Sequence, residues 1–197
     1  MLSFTLINKN MIIKKIILLV VIITGVVSIT NKVNAQVYFT KNGSISFFSK
    51  TSLENINAEN NQVISILNVQ TGVIEFSVLN NAFQFPRAKM QEDFNENYME
   101  SNKYPKSTFK GNITDVSNIS SLKDGNYNVN VKGDLMIHGV SKNINEPATI
   151  TIKDGKISAT TSFKVLIKDY NIKIPSIVTN KIAESIEVTV SCNYEKK

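Results

Sequence analysis

The sequence predicts an all-β protein, a closed antiparallel barrel of about eight strands with one short helical segment near residues 86–101. Three observations carry that prediction. Apolar and polar residues alternate over long stretches, the period of a strand with one buried and one wet face. Turn signals separate these stretches, most clearly Asp124-Gly125 and Asp154-Gly155. One stretch changes period: Met90, Phe94 and Tyr98 recur every four residues and so share a helix face.

Taken in order, Tyr38 to Ser49 reads as one or two short strands, with Gly43 as a bulge or turn. Asn60-Asn61 is a turn signal before a strand from Gln62 to Val69. Thr71-Gly72 separates that run from Val73 to Leu79, where Ile74, Phe76 and Val78 face one way. Pro86 suits the first turn of the helix, since its missing N–H is no loss there. Tyr104-Pro105 ends the helical pattern, because the residue before proline is pushed towards extended geometry. Ser107 to Ile113 then opens a strand.

From Tyr127 the odd positions Val129, Val131, Gly133, Leu135 and Ile137 continue one apolar row. Gly139 to Asn145 reads as a turn, followed by Ala148, Ile150 and Ile152 on one face. Beyond Asp154-Gly155, the row Ile157, Ala159, Thr161, Phe163, Val165 and Ile167 alternates with polar residues. Ile186, Val188, Val190 and Cys192 face inward on the last strand. Long strands joined by tight hairpins favour a barrel, which removes exposed edges. Periodicity by itself suits a packed sandwich equally well.

The N-terminus stands apart. Lys14-Lys15 precede an uncharged apolar run of 14 residues, Ile16 to Ile29, too short for a comfortable membrane span. Val33-Asn34-Ala35 supplies a plausible cleavage site. Residues 1–35 are therefore read as a secretory signal peptide, with Met11 as the true start and a mature domain over 36–197. That places the protein in the periplasm or outside the cell, with no membrane span in the mature chain. Residues 1–35 hold four of the 22 basic residues and none of the 16 acids, so the remainder has a net charge of +2. Such a balance leaves no electrostatic footprint for nucleic acid. A single cysteine, Cys192, precludes an internal disulfide, and the core alone must hold the fold.

Catalytic chemistry is not visible. His138 is the only histidine, lies on a polar face beside Gly139, and reads as part of a turn. One histidine and one distant cysteine make no metal cluster. Glu92, Glu96 and Glu100 are spaced to share a helix face, which fits solvated carboxylates. No Gly-rich phosphate loop and no GxSxG motif is present. The reading is therefore a non-enzyme without a metal or cofactor.

What stands out is apolar mass around the helical segment. Phe83, Phe85, Phe94, Tyr98, Met99, Tyr104 and Phe109 gather there in sequence, and Phe76, Leu135, Ile137 and Phe163 lie on inward rows. These residues suit an ordinary core. They equally suit the wall of an apolar pocket, with Met99 as an adaptable filler. Arg87, Lys89 and Lys103 flank the segment as head-group candidates, balanced by the nearby acids.

Two motifs at this spacing, FNENYMESNKYPKSTFKG and GDLMIHGVSK, resemble the YceI-like family of periplasmic lipid-binding proteins. The resemblance rests on Phe94, Tyr104, Pro105, Phe109 and Lys110, and then on Gly133, Leu135, His138, Gly139, Val140 and Lys142. Lys168-Asp169-Tyr170-Asn171-Ile172 stands where the family often has an Asp-aromatic-Gly-Ile run. Two stretches depart from the family's pattern, Tyr38 to Gly43 and Phe85 to Met90. The resemblance implies a lipocalin-like barrel with a long isoprenoid or quinone-like lipid in its lumen. The alternative is a barrel filled by its own side chains, acting as a structural or protein-interaction module.

Overall fold

A computed structural model of the chain describes residues 36–197. The signal-peptide reading falls on residues 1–35 and lies outside the described residues. Eight strands close into an antiparallel barrel in simple sequence order, β1 through β8. They are β1 (Val37–Lys50), β2 (Asn55–Asn68), β3 (Val73–Leu79), β4 (Lys106–Ile113), β5 (Gly125–Ile137), β6 (Val140–Lys153), β7 (Lys156–Leu166) and β8 (Ser185–Lys196). β8 returns to pair with β1 and closes the sheet into a barrel. No helix among the described residues is long and apolar enough to cross a membrane.

The helical segment is α1 (Ala88–Asp93), continued by a wider turn over Phe94–Tyr98 in which the Met99 N–H donates to the Phe94 carbonyl. It sits between β3 and β4. A second helical turn, α2 (Ser117–Ser120), lies in the β4–β5 connection. One end of the barrel is closed by packed residues: Leu67, Val69, Ile119, Ile150, Ile152 and Ile157 are all fully buried there. At the other end stand α1, the β1–β2 turn and the long β7–β8 connection.

Three turn readings are corrected. Asn60-Asn61 is not a turn, because β2 runs straight through it. The buried Asn60 side chain donates to the Leu79 carbonyl and accepts from the Gln62 N–H, and the β1–β2 register shifts there. A residue with turn chemistry thus serves a bulge instead. Gly139 to Asn145 is not a loop either. The turn is only His138-Gly139, with φ of 51° and 74°, and β6 starts at Val140. Both central residues left-handed is the primed hairpin turn that matches strand twist. Asp124-Gly125 makes no tight hairpin, since β4 and β5 are joined by a longer connection through α2. Asp154-Gly155 does form one, with φ of 50° and 73°.

Candidate functional site

The inward rows do not meet at the barrel axis in the half nearest α1. They surround a cavity of about 500 Å³ to which all eight strands contribute. Its size lies within the usual range for a small-molecule site. Two features keep this half from filling. Gly111 and Gly133 face each other across β4 and β5 on the inward rows. A Cβ on Gly133 would sit 2.4 Å from the Gly111 Cα, so side chains are excluded from that part of the wall. The Phe109 ring takes the space beside Gly111. Higher up, β6 and β7 pair only from Thr149 opposite Thr160 to Lys153 opposite Lys156, and then part.

Pro147 marks that parting. Its carbonyl accepts a 2.7 Å hydrogen bond from the Thr161 hydroxyl, so the carbonyl faces β7. In a regular antiparallel strand the N–H of a residue points the same way as its carbonyl. The donor that proline lacks is therefore the one β7 needs, while pairing with β5 runs on undisturbed through Asn130.

Four rings dock the helical segment over the cavity. Phe94 lies 5.0–5.6 Å, centroid to centroid, from Phe47, Phe83 and Phe85. Aromatic pairs at such spacing add attraction beyond their buried area. The chain entering the segment is pinned from below. Asn80 is fully buried, donates to the Tyr104 carbonyl at 2.6 Å, and accepts from the Ser107 hydroxyl at 2.8 Å. Gln84 forms an isolated bridge with Glu59 of β2. From the other side of the rim, the Ala183 N–H donates to the Ser49 hydroxyl and ties the β7–β8 connection to β1.

Of the apolar residues singled out in the sequence, Phe76, Phe83, Phe85, Phe94, Tyr98, Met99, Phe109, Leu135, Ile137 and Phe163 stand on the cavity wall. Tyr104 does not. Its ring packs against His138 at 4.4 Å between centroids and covers the Gly139 turn. Burial pushes the Tyr98 hydroxyl above its usual range, with the charge of Asp93 adding to the effect.

The head-group candidates separate. Arg87 and Lys89 line the mouth, but Arg87 is paired with Glu54, and Lys89 with Glu92 at 3.2 Å and Asp93 at 3.1 Å. Those acids raise the Lys89 ammonium's affinity for its proton. Lys103 lies away from the cavity, beside Glu100 and over the Tyr104 ring. Lys181, on the β7–β8 connection, is an additional cation at the mouth and was not among the sequence candidates. Phe47 was missed too; it lies on a strand row broken by the Gly43 irregularity, which blurs the alternation.

His138 is a clip. Its Nδ1 lies 3.1 Å from the Tyr170 carbonyl oxygen, and its Nε2 lies 2.8 Å from the Glu100 carboxylate. The buried ring joins the β5–β6 turn, the end of the helical segment and the β7–β8 connection. Among the described residues no group of three or more His, Cys, Asp or Glu side chains is placed to hold a metal.

The YceI-like domain model matches residues 25–194. The chain belongs to the YceI-like family. Solved structures agree with this fold. A polyisoprenoid binding domain from Saccharophagus degradans, implicated in plant cell wall breakdown, superposes with a TM-score of 0.73 at 14% identity, covering 83% of this chain and all (100%) of that one. BcnA of Burkholderia cenocepacia gives 0.66 at 14% identity, over 78% of this chain and 96% of its own. The YceI protein of Campylobacter jejuni gives 0.52 at 15% identity, over 88% and 96%. At such identities the likeness is one of fold. No curated protein matches the sequence.

Proposed function

We propose that this YceI-like protein is an exported, non-enzymatic carrier whose barrel encloses a long isoprenoid or similar apolar lipid. One observation carries the reading: a cavity of about 500 Å³ inside the barrel, walled almost wholly by apolar side chains. A filled interior, as the structural-module alternative requires, has no such space. The Saccharophagus degradans relative, a polyisoprenoid binding domain, supports the choice of ligand class.

Magnitudes favour a long chain. Each buried CH₂ contributes about 0.8 kcal/mol. Association costs roughly 4–15 kcal/mol before any affinity appears. A hydrocarbon therefore needs about 15 carbons or more for useful binding. Desolvation inside the lumen supplies the affinity, and α1, docked through Phe94, covers the ligand. Native mass spectrometry of the protein purified from its host tests this. The expected spectrum shows a mature chain starting at Gln36 plus a lipid adduct; a bare chain after gentle extraction would count against the carrier reading.

A further inference from the structure

Among the described residues, Glu146 is the one acid carried on a strand at the cavity wall. It lies opposite Val131 of β5 and between Ile144 and Ala148 on the same face of β6. The side chain lines the cavity and is half-buried. Other acids at the cavity are accounted for: Glu54 is paired with Arg87, and Asp93 with Lys89. No ion pair or side-chain hydrogen bond engages the Glu146 carboxylate among the described residues. It sits where β6 and β7 part, next to Pro147, with Thr161 across from it on the same wall.

An ionised carboxylate only accepts hydrogen bonds. Set in an apolar wall, it favours a partner that donates and disfavours one that cannot. We propose that Glu146 anchors the polar end of the enclosed lipid, and that this end is a hydrogen-bond donor, a hydroxyl or an ammonium. The inference rests on the carrier reading and narrows it. A quinone-like ring with two carbonyls offers acceptors alone and leaves the carboxylate unmatched. A phosphate meets like charge at short range. At the mouth Arg87 and Lys89 are already paired with acids, and Lys181 lines the cavity from the β7–β8 connection rather than from the strand wall that carries Glu146.

The test measures binding of geranylgeraniol, its methyl ether, geranylgeranylamine and geranylgeranyl monophosphate to the delipidated full-length mature protein. Isothermal titration in dilute detergent gives the four affinities. The alcohol and the amine are expected to bind about tenfold or more tighter than the ether, and the phosphate weakest. In Glu146→Leu the alcohol and ether become equal while the hydrocarbon is still held. In Glu146→Gln the alcohol keeps its advantage over the ether, the amine loses its advantage over the alcohol, and the phosphate gains. Thermal unfolding of both variants is expected at or above the wild-type temperature, since an unpaired carboxylate leaves the wall. Equal binding of alcohol and ether by the wild type, tightest binding of the phosphate, or an unchanged preference in Glu146→Leu overturns the assignment of Glu146 while the carrier reading stands. Failure of all four probes to bind overturns both.

Discussion

The two halves of the barrel are built from the same strands and the same alternation, yet one is packed and the other hollow. β7 shows the change within one inward row. Ile157 is 1% exposed and Ala159 8%, at the closed end; Thr161, Phe163 and Val165, nearer α1, are only partly buried although they face inward too. At the closed end the rows interdigitate, α2 places Ile119 over the opening, and the Tyr194 hydroxyl shares a 2.8 Å hydrogen bond with the Ser65 hydroxyl. At the open end the rows stop short of one another. The contrast teaches that alternation sets which way a side chain points, while the space it meets is set by its neighbours across the barrel.

The largest expected effect compares the halves directly. Ile152→Ala removes a fully buried side chain at the closed end, away from the cavity wall, and is expected to cost about 2–5 kcal/mol in urea unfolding. Phe163→Ala, on the cavity wall, is expected to cost less than half as much by the same measurement while weakening lipid binding. Equal losses of stability would erase the distinction between a packed and a hollow half.

Next comes the boundary between them. Gly133→Ala drives a Cβ to 2.3 Å from the Lys110 carbonyl oxygen, and both atoms belong to rigid paired strands. A loss of about 1–3 kcal/mol is expected, read as a lowered thermal midpoint. Retained wild-type stability would mean that β4 and β5 separate easily there.

A smaller effect follows from the thiol at the closed end. Burial pushes Cys192 up from 9.0 to about 11, and the hydrogen bond with Tyr194 opposes this in part. The folded chain holds this proton more tightly than the unfolded chain does. Its contribution is therefore full below pH about 9 and is lost as pH rises through about 11. Burial raises the Tyr194 hydroxyl in the same direction. Urea midpoints are expected to fall across that window, less so in Cys192→Ala. At neutral pH the thiol is expected to react with Ellman's reagent only in urea.

The smallest change in stability is expected at the mouth. Arg87→Ala breaks an exposed ion pair with Glu54, worth about 0–1 kcal/mol. It frees a carboxylate beside α1, so lipid exchange, followed by fluorescence transfer, is expected to change more than the unfolding midpoint. The opposite result would make the pair part of the fold's support rather than of the mouth.

How far the chain could be read in advance varies from residue to residue. The rows Val129 to Ile137 and Ile157 to Val165 declare their inward faces plainly, because each residue's side is a local property of the strand. Asp154-Gly155 declared its hairpin for the same reason. Asn60 misled, since its side chain is used by Leu79, a partner 19 positions away. Gly139 misled in extent, because two left-handed residues were enough to reverse the chain. Tyr104 and Lys103 are close in sequence to the lining aromatics but lie outside the lumen, Tyr104 against His138 and Lys103 beside Glu100. Glu146 and Lys181 carried no local signal: one sits in a strand that reads as mixed, the other in a loop whose place over the mouth depends on the Ser49 contact.

By itself, then, the sequence determined the strand period, the inward rows, the switch to a helical segment at Met90 to Tyr98 and the motifs of the YceI-like family. These are properties of residues near one another in the chain. Tertiary structure alone decided that the interior is hollow at one end, that Arg87 and Lys89 at the mouth are matched by acids, and that the unmatched carboxylate of Glu146 faces the lumen. Each of those depends on the distance between strands that are far apart in sequence, a quantity fixed only when the barrel closes.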